Sequence, residues 1–329
     1  MRALSVSEQA ARVAGLVARP RLSVVSTLYG SEGTVEAFVR SHVEAARRLV
    51  GEAHEVILVN DGSPDGSLAI AKALTGTYPT LCVIDLSRNF GHHKALLAGV
   101  EAARGDRVYI CDSDMEEPPE WLEAFWERMD AGGGALDLVG GVQERRVRGL
   151  KDRVLAGGSW RLLAALSKTE LRPNLVTARL MSRAYAAALV SYAEREVFLA
   201  TLCSDVGFAQ AFLPVEKVAE APTTYTLTKK IRLLIDGITA FSVVPLYLSA
   251  VLAGLLALLG GGALLFTLAS WLRTETLPGW ASQMGLMSLC FAALFGVLAI
   301  QGVYLGRVFT EVRARPRTIV RDVTKGSAL

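Results

Sequence analysis

Two stretches of this 329-residue chain contain no Asp, Glu, Lys or Arg: 237–272, 36 residues, and 276–306, 31 residues. As helices they would reach about 54 and 46 Å, against a hydrocarbon core of roughly 30 Å. Each is long enough to cross a bilayer once and too short to cross it twice, so two spans are expected near 243–269 and 284–306. Buried helices of soluble proteins seldom run past about 14 residues. The connection carries one Arg and one Glu, with Trp271 and Trp280 at interface depth. Lys229, Lys230 and Arg232 precede the first run. Arg307, Arg313, Arg315, Arg317, Arg321 and Lys325 follow the second, against Glu311 and Asp322. Positive flanks around a neutral loop predict a two-span inner-membrane protein with both termini in the cytoplasm. Ile231, Leu234, Ile235, Ile238 and Phe241 recur at helical spacing just before the first run. They fit an amphipathic helix in the headgroup layer or a plain helical lead-in.

Composition becomes informative once the chain is divided there. The whole is 51% hydrophobic and 20% charged, but 57 of the 67 charged residues lie in residues 1–236. That part carries 28 cations and 29 acids, a net −1, and the chain's +3 comes from its end. This balance excludes a disordered chain and a nucleic-acid binder driven by bulk charge. Cys82, Cys111, Cys203 and Cys290 show no paired spacing, so neither a disulfide framework nor a zinc site is expected. Residues 1–20 lack an uninterrupted apolar stretch long enough for a signal peptide and read as an arm.

Between the arm and the membrane segment, β-branched runs alternate with helical patterns. Leu22–Ser26, Glu55–Val59, Leu81–Leu86, Arg107–Cys111 and Leu136–Val139 read as strands. Val35–Val50, Leu68–Leu74, Lys94–Ala103 and Glu120–Met129 read as helices. Such a series predicts an α/β domain with a mostly parallel sheet, whose ligands bind beyond the carboxyl ends of the strands. After the second strand stands NDGSPDGS, 60–67: an acid at a strand end, a Gly turn and a capping Ser, suited to a ribose or base or to an ordinary βα turn. After the fourth stands CDSDMEEPPEW, 111–121. Asp112 and Asp114 alternate along an extended segment and can converge on one hard cation, Mg²⁺ or Mn²⁺, with diphosphate oxygens as further ligands. Glu116 adds a third oxygen at the same spacing. His92 and His93, in RNFGHHKA, can touch a diphosphate or cap a helix. No dinucleotide fingerprint or Walker loop is present. The segment 144–161 holds six cations and two acids, followed within it by Gly157-Gly158-Ser159. Such a run is a solvated face or, beside a membrane, a site for an anionic headgroup.

At these residues the chain resembles the polyprenyl-phosphate glycosyltransferases of family 2, the dolichol-phosphate mannose synthase-like and bacterial undecaprenyl-phosphate enzymes. The likeness runs from Leu22 to about Val320 and rests on VNDGSPDGS, LSRNFGHHKALLAG, ARGDRVYICDSDMEEPPE, ARLMSR, TTYTLTKKIRLLIDGITAFSVVPL and GVYLGRVFTEVRARPRTIV. It implies a GT-A (Rossmann-like) domain over 21–224, a juxtamembrane helix over 225–241, two transmembrane helices over 242–306 and a basic tail over 307–329. It also implies a divalent metal, a nucleotide-sugar donor, a polyprenyl phosphate acceptor and oligomer formation. Carried over, Asp61 contacts the nucleotide, with Thr27, Tyr29 and Ser63 beside it. Asp112 and Asp114 hold metal and donor, and Arg146, Arg153 and Ser159 grip the acceptor phosphate. The pattern departs at Thr27-Leu28-Tyr29-Gly30-Ser31, at Glu116 (usually Gln) and at Val176-Thr177 (usually Gly-Asp), which bears chiefly on the sugar. The alternatives are the same fold acting on another lipid, such as a diacylglycerol, and a binding scaffold without turnover.

Overall fold

The computed structural model describes residues 19–143, 174–192, 194, 199–218, 244–272 and 279–329. They fall into two compact units, one built on the N-terminal residues and the chain's end, the other on the long C-terminal helices.

The first unit is a sheet. Strands β1 (Leu22–Leu28), β2 (His54–Asn60), β3 (Leu81–Leu86) and β4 (Arg107–Ile110) lie parallel in the order β4-β1-β2-β3. Helices α1 (Val35–Val50), α2 (Ser67–Leu74) and α3 (His92–Ala102) connect them, and α4 (Glu120–Ala131) leads to β5 (Leu138–Gln143). Strand β6 (Leu175–Ser182) runs antiparallel to both β4 and β5. Helices α5 (Arg183–Ser191) and α6 (Leu199–Asp205) precede β7 (Gln210–Val215), which is parallel to β5. All five expected strands and all four expected helices are present, within a few residues of their expected bounds.

The near-continuous apolar runs of β1 and β2 are buried at every position, as strands covered on both faces require. Strand periodicity then sorts their side chains between two cores. Leu22, Val24 and Leu28 pack with Phe38, Val39 and Val43 of α1 and with Trp121 and Phe125 of α4. Val25, Ile57 and Val59 face the opposite way, onto Leu96, Leu97 and Val100 of α3 and Tyr185 and Leu189 of α5. Helix α3 comes close to the sheet at Gly99, where a Cβ would stand 2.4 Å from Val25 Cγ1. Because β1 to β4 run one way, the loops after them share one edge of the sheet.

The residues after Gly306, expected as a basic tail, do not end as one. Residues 320–325 form β8 (Val320–Lys325), antiparallel to β3 with Cys82 opposite Lys325, and complete the order β7-β5-β6-β4-β1-β2-β3-β8. Lys72 of α2 donates to Asp322 at 2.6 Å, and Gly326 N donates to Leu81 O at 2.8 Å. An edge strand has one neighbour and an open face, so its VRDVTK composition is polar and reads as a tail.

The second unit is the helix pair α7 (Val244–Leu272) and α8 (Trp280–Val312), packed against each other. Their most apolar stretches, Val244–Ala263 and Leu289–Val312, each have a mean hydropathy of 2.0 with 6% of the stretch buried. Leu258 is 75% and Phe295 65% exposed. Apolar surface this extensive is what helices facing lipid present, not what the core helices of a soluble domain present. The arm before residue 19 and the amphipathic segment 231–241 lie outside the described residues.

Candidate active site

An open cleft of about 220 Å³ lies at the carboxyl ends of the parallel strands, lined by Thr27, Tyr29, Gly30, Ser31, Thr34, His92, Asp112, Ser113 and Asp114. Each residue comes from a loop or strand end that the parallel topology delivers to this edge. Tyr29 stands at the rim, 59% exposed, while Asp61 is buried and, like Ser63, does not line the cleft.

Hydrogen bonds between loops hold the floor of the cleft. Ser113 Oγ donates to Thr27 O at 2.7 Å and lies 2.9 Å from Ser31 Oγ, tying the loop after β4 to β1. Ser63 Oγ accepts from Gly30 N at 2.8 Å and donates to Asp65 Oδ1 at 2.5 Å. Asp65 also accepts from Ser67 and from Glu32 N. The Ser63 and Ser67 hydroxyls hold the Asp65 carboxyl well below the usual range.

Asp61 Oδ1 accepts from Phe90 N at 2.7 Å, and Oδ2 accepts from Gly91 N at 3.0 Å. Burial raises its pKa, and the two amides oppose that rise. The residue therefore anchors the loop before α3 with both oxygens. That role is structural, beside the nucleotide contact the resemblance implies.

Asp112 and Asp114 both reach the cleft. His92 Nε2 lies 3.3 Å from Asp112 Oδ1, and His92 Nδ1 lies 2.9 Å from Thr27 Oγ1. Asp112 Oδ1 is buried and accepts no hydrogen bond. A buried carboxylate oxygen that accepts no hydrogen bond and has only the His92 ring nitrogen beside it suits a hard cation. Asp114 Oδ1 accepts from Glu116 N at 3.0 Å across Met115, whose φ of 64° turns the chain in the left-handed region. Burial, and then the charges of Asp112 and Glu116, raise the pKa of Asp114. Two carboxylates this close together gain from a cation between them.

Glu116 departs from expectation. Its carboxylate is held by Lys217 Nζ at 2.9 Å, and it does not line the cleft. Among the described residues no group of three His, Cys, Asp or Glu gathers as a metal cage. Lys217, just past β7, neutralises the extra charge that Glu116 brings.

Glu117, adjacent in sequence, has a role that sequence reasoning missed. It is fully buried, and its carboxylate accepts from Asp112 N at 3.1 Å and from Thr177 N at 3.0 Å. Burial, followed by the charge of Asp112, pushes its pKa up to about 7. It thereby fixes the acidic loop to β6. The one signal for it was its place between the two aspartates and Pro118-Pro119. Arg146, Arg153 and Ser159 lie outside the described residues.

The family pattern described as glycosyl transferase family 2 matches residues 23–188. A Mycobacterium tuberculosis protein grouped with the glycosyltransferases is 36% identical over 304 residues, 92% of this chain and 88% of the relative. An undecaprenyl-phosphate 4-deoxy-4-formamido-L-arabinose transferase from Pseudomonas paraeruginosa is 32% identical over 322 residues, 93% of this chain and 91% of the relative. A solved glucosyl-3-phosphoglycerate synthase from Mycobacterium tuberculosis, in complex with Mn²⁺, UDP and glucosyl-3-phosphoglycerate, superposes with a TM-score of 0.46 at 23% identity, covering 73% of this chain and 83% of that one. The matched residues contain β1 to β4 but for Leu22, the acidic loop and the whole lining of the cleft, and on that match the chain belongs to glycosyl transferase family 2.

Proposed function

We propose that this protein transfers a sugar from a nucleotide-sugar donor to a polyprenyl phosphate, of which undecaprenyl phosphate is the bacterial form, at the cytoplasmic face of the inner membrane. The observation that carries the reading is a cleft built on Asp112 and Asp114 in a chain with two helices long and apolar enough to cross a bilayer. The Pseudomonas relative, similar along nearly its whole length, is named for an undecaprenyl-phosphate acceptor.

In this reading Asp112 and Asp114 hold Mg²⁺ or Mn²⁺, which when bound neutralises the charge of the departing nucleoside diphosphate. His92, beside Asp112, orients that carboxylate. Tyr29 offers a ring at the rim for the nucleotide base, and the Asp61-anchored loop shapes the wall beneath it. Arg146 and Arg153, with Ser159, supply charge and hydrogen bonds to the acceptor phosphate. That phosphate is already anionic at neutral pH, so displacement at the anomeric carbon needs no strong general base. What the protein supplies is alignment and a preorganised electrostatic field. A direct displacement inverts the configuration of the sugar.

The test is a donor screen. Purified full-length protein in detergent, given Mn²⁺, undecaprenyl phosphate and a panel of labelled nucleotide sugars, should yield a lipid-extractable product with at least one donor. Replacing Arg146 and Arg153 together by Ala should raise the acceptor KM at least about tenfold. No labelled lipid from a broad panel would sink the proposal. Label carried equally well by diacylglycerol would assign a different acceptor.

A further inference from the structure

Strand β8 does more than close a sheet edge. Arg321 Nη1 stands 3.6 Å from Oδ2 of Asp85, a carboxylate only 4% exposed, and its Nη2 donates to Ser87 O. Asp85 Oδ1 accepts from Asn60 Nδ2 at 2.8 Å, and Asn60 Oδ1 accepts from Ser63 N at 3.2 Å. Ser63 Oγ in turn accepts from Gly30 N, which lines the cleft. A second route runs through the backbone. Ile319 O accepts from Ser87 N at 2.8 Å, pinning the start of the loop whose Phe90 and Gly91 amides hold Asp61. The two loops also interlock sterically, since a Cβ on Gly62 (φ 65°) would lie 2.6 Å from Asn89 N.

We propose that Arg321 is a positioning residue for the donor-binding loops, so that the strand following the second apolar helix completes the nucleotide side of the cleft. The proposal rests on the reading of that cleft as the donor site, though the geometry of its loops can be tested apart from it. The chemistry is a buried carboxylate, Asp85, whose orientation toward Asn60 is set by a cation from the far end of the chain. Without that cation the Asp85 carboxylate keeps only its Asn60 contact, and the Asn60–Ser63 turn loses its fixed anchor. The pair is exposed on one side, so its effect is modest in size and local in reach.

Hydrogen exchange on the full-length protein without donor or acceptor reads this directly. In Arg321→Ala, exchange at the amides of Ser63, Phe90 and Gly91 should rise roughly threefold to tenfold, with β1 and β4 unchanged. Arg321→Lys, which keeps the charge facing Asp85, should recover part of that protection. Lys72→Ala, which cuts a side-chain tie of β8 through Asp322, should leave the three amides as they are. In turnover, Arg321→Ala should raise the donor KM by a similar factor while kcat and the acceptor KM hold. Unchanged exchange at the three amides overturns the proposal. So does acceleration spread across β1 and β4, which would mean that Arg321 merely holds the fold together. Loss of transfer to lipid in the wild type would leave the exchange result standing and would count against the functional reading alone.

Discussion

Glu117, fully buried, carries two backbone amides. Glu117→Ala leaves both donors unsatisfied at about 1–3 kcal/mol each, so the melting temperature should fall by roughly 5–10 °C. Glu117→Gln keeps one acceptor oxygen and should lose less in the same thermal scan. His42 gives a pH dependence. Its ring stacks 4.0 Å from Phe38, Nδ1 lies 3.0 Å from Phe38 O, and burial pushes its pKa down to about 4. The unfolded chain takes up this proton near pH 6.5, so the group's contribution is present above that pH and is lost as pH falls toward 4. His93 is lowered to about 4 as well, so the wild type keeps other sources of acid sensitivity. His42→Gln should therefore lose less melting temperature than the wild type between pH 7 and pH 5, and equal slopes would contradict the assignment. At this scale the sequence was legible where chemistry is local. Asp112 and Asp114 stand two residues apart and reach one cleft. The partners of Glu116 and Glu117 are Lys217 and Thr177, distant along the chain, and spacing alone cannot show a pairing that only the closed sheet creates.

The first four strands and their helices were legible because the strands are short, near-continuous β-branched runs and α1 carries a strong period of 3.6. Strand β6 was visible only as the motif ARLMSR, since its antiparallel entry between β4 and β5 depends on partners far away in sequence. Strand β8 was hidden by its charge, as an edge strand's open face allows. The tightest constraint between elements is the contact of α3 with the sheet at Gly99. Gly99→Ala puts a methyl group 2.4 Å from Val25 Cγ1 and 3.0 Å from Val59 Cγ2, both branched core side chains with little room to move. The expected overpacking cost is about 1–3 kcal/mol, read as a shift in denaturant midpoint with unchanged slope. A neutral outcome would mean that α3 can lift from the sheet.

At the scale of the molecule, segregation of charge sets two long apolar helices apart from the rest of the chain, and that segregation was plain from composition. The structure adds that the chain re-enters the sheet after its second apolar helix. Leu255 lies in the first apolar stretch and is 54% exposed. Leu255→Arg should cost about 2.5–3.5 kcal/mol of apparent insertion free energy and lower the share of protein that resists alkaline extraction from membranes. Leu252→Ala, which remains apolar, should not. The central claim concerns the reaction. Its most direct test is mass spectrometry of the lipid extracted after the full-length protein has acted on undecaprenyl phosphate with Mn²⁺ and its best donor. The account predicts a polyprenyl phosphate heavier by one sugar residue, formed by the wild type and lost, by about a hundredfold or more, in Asp114→Ala. An unmodified polyprenyl phosphate, or the same product in equal yield from Asp114→Ala, would contradict it.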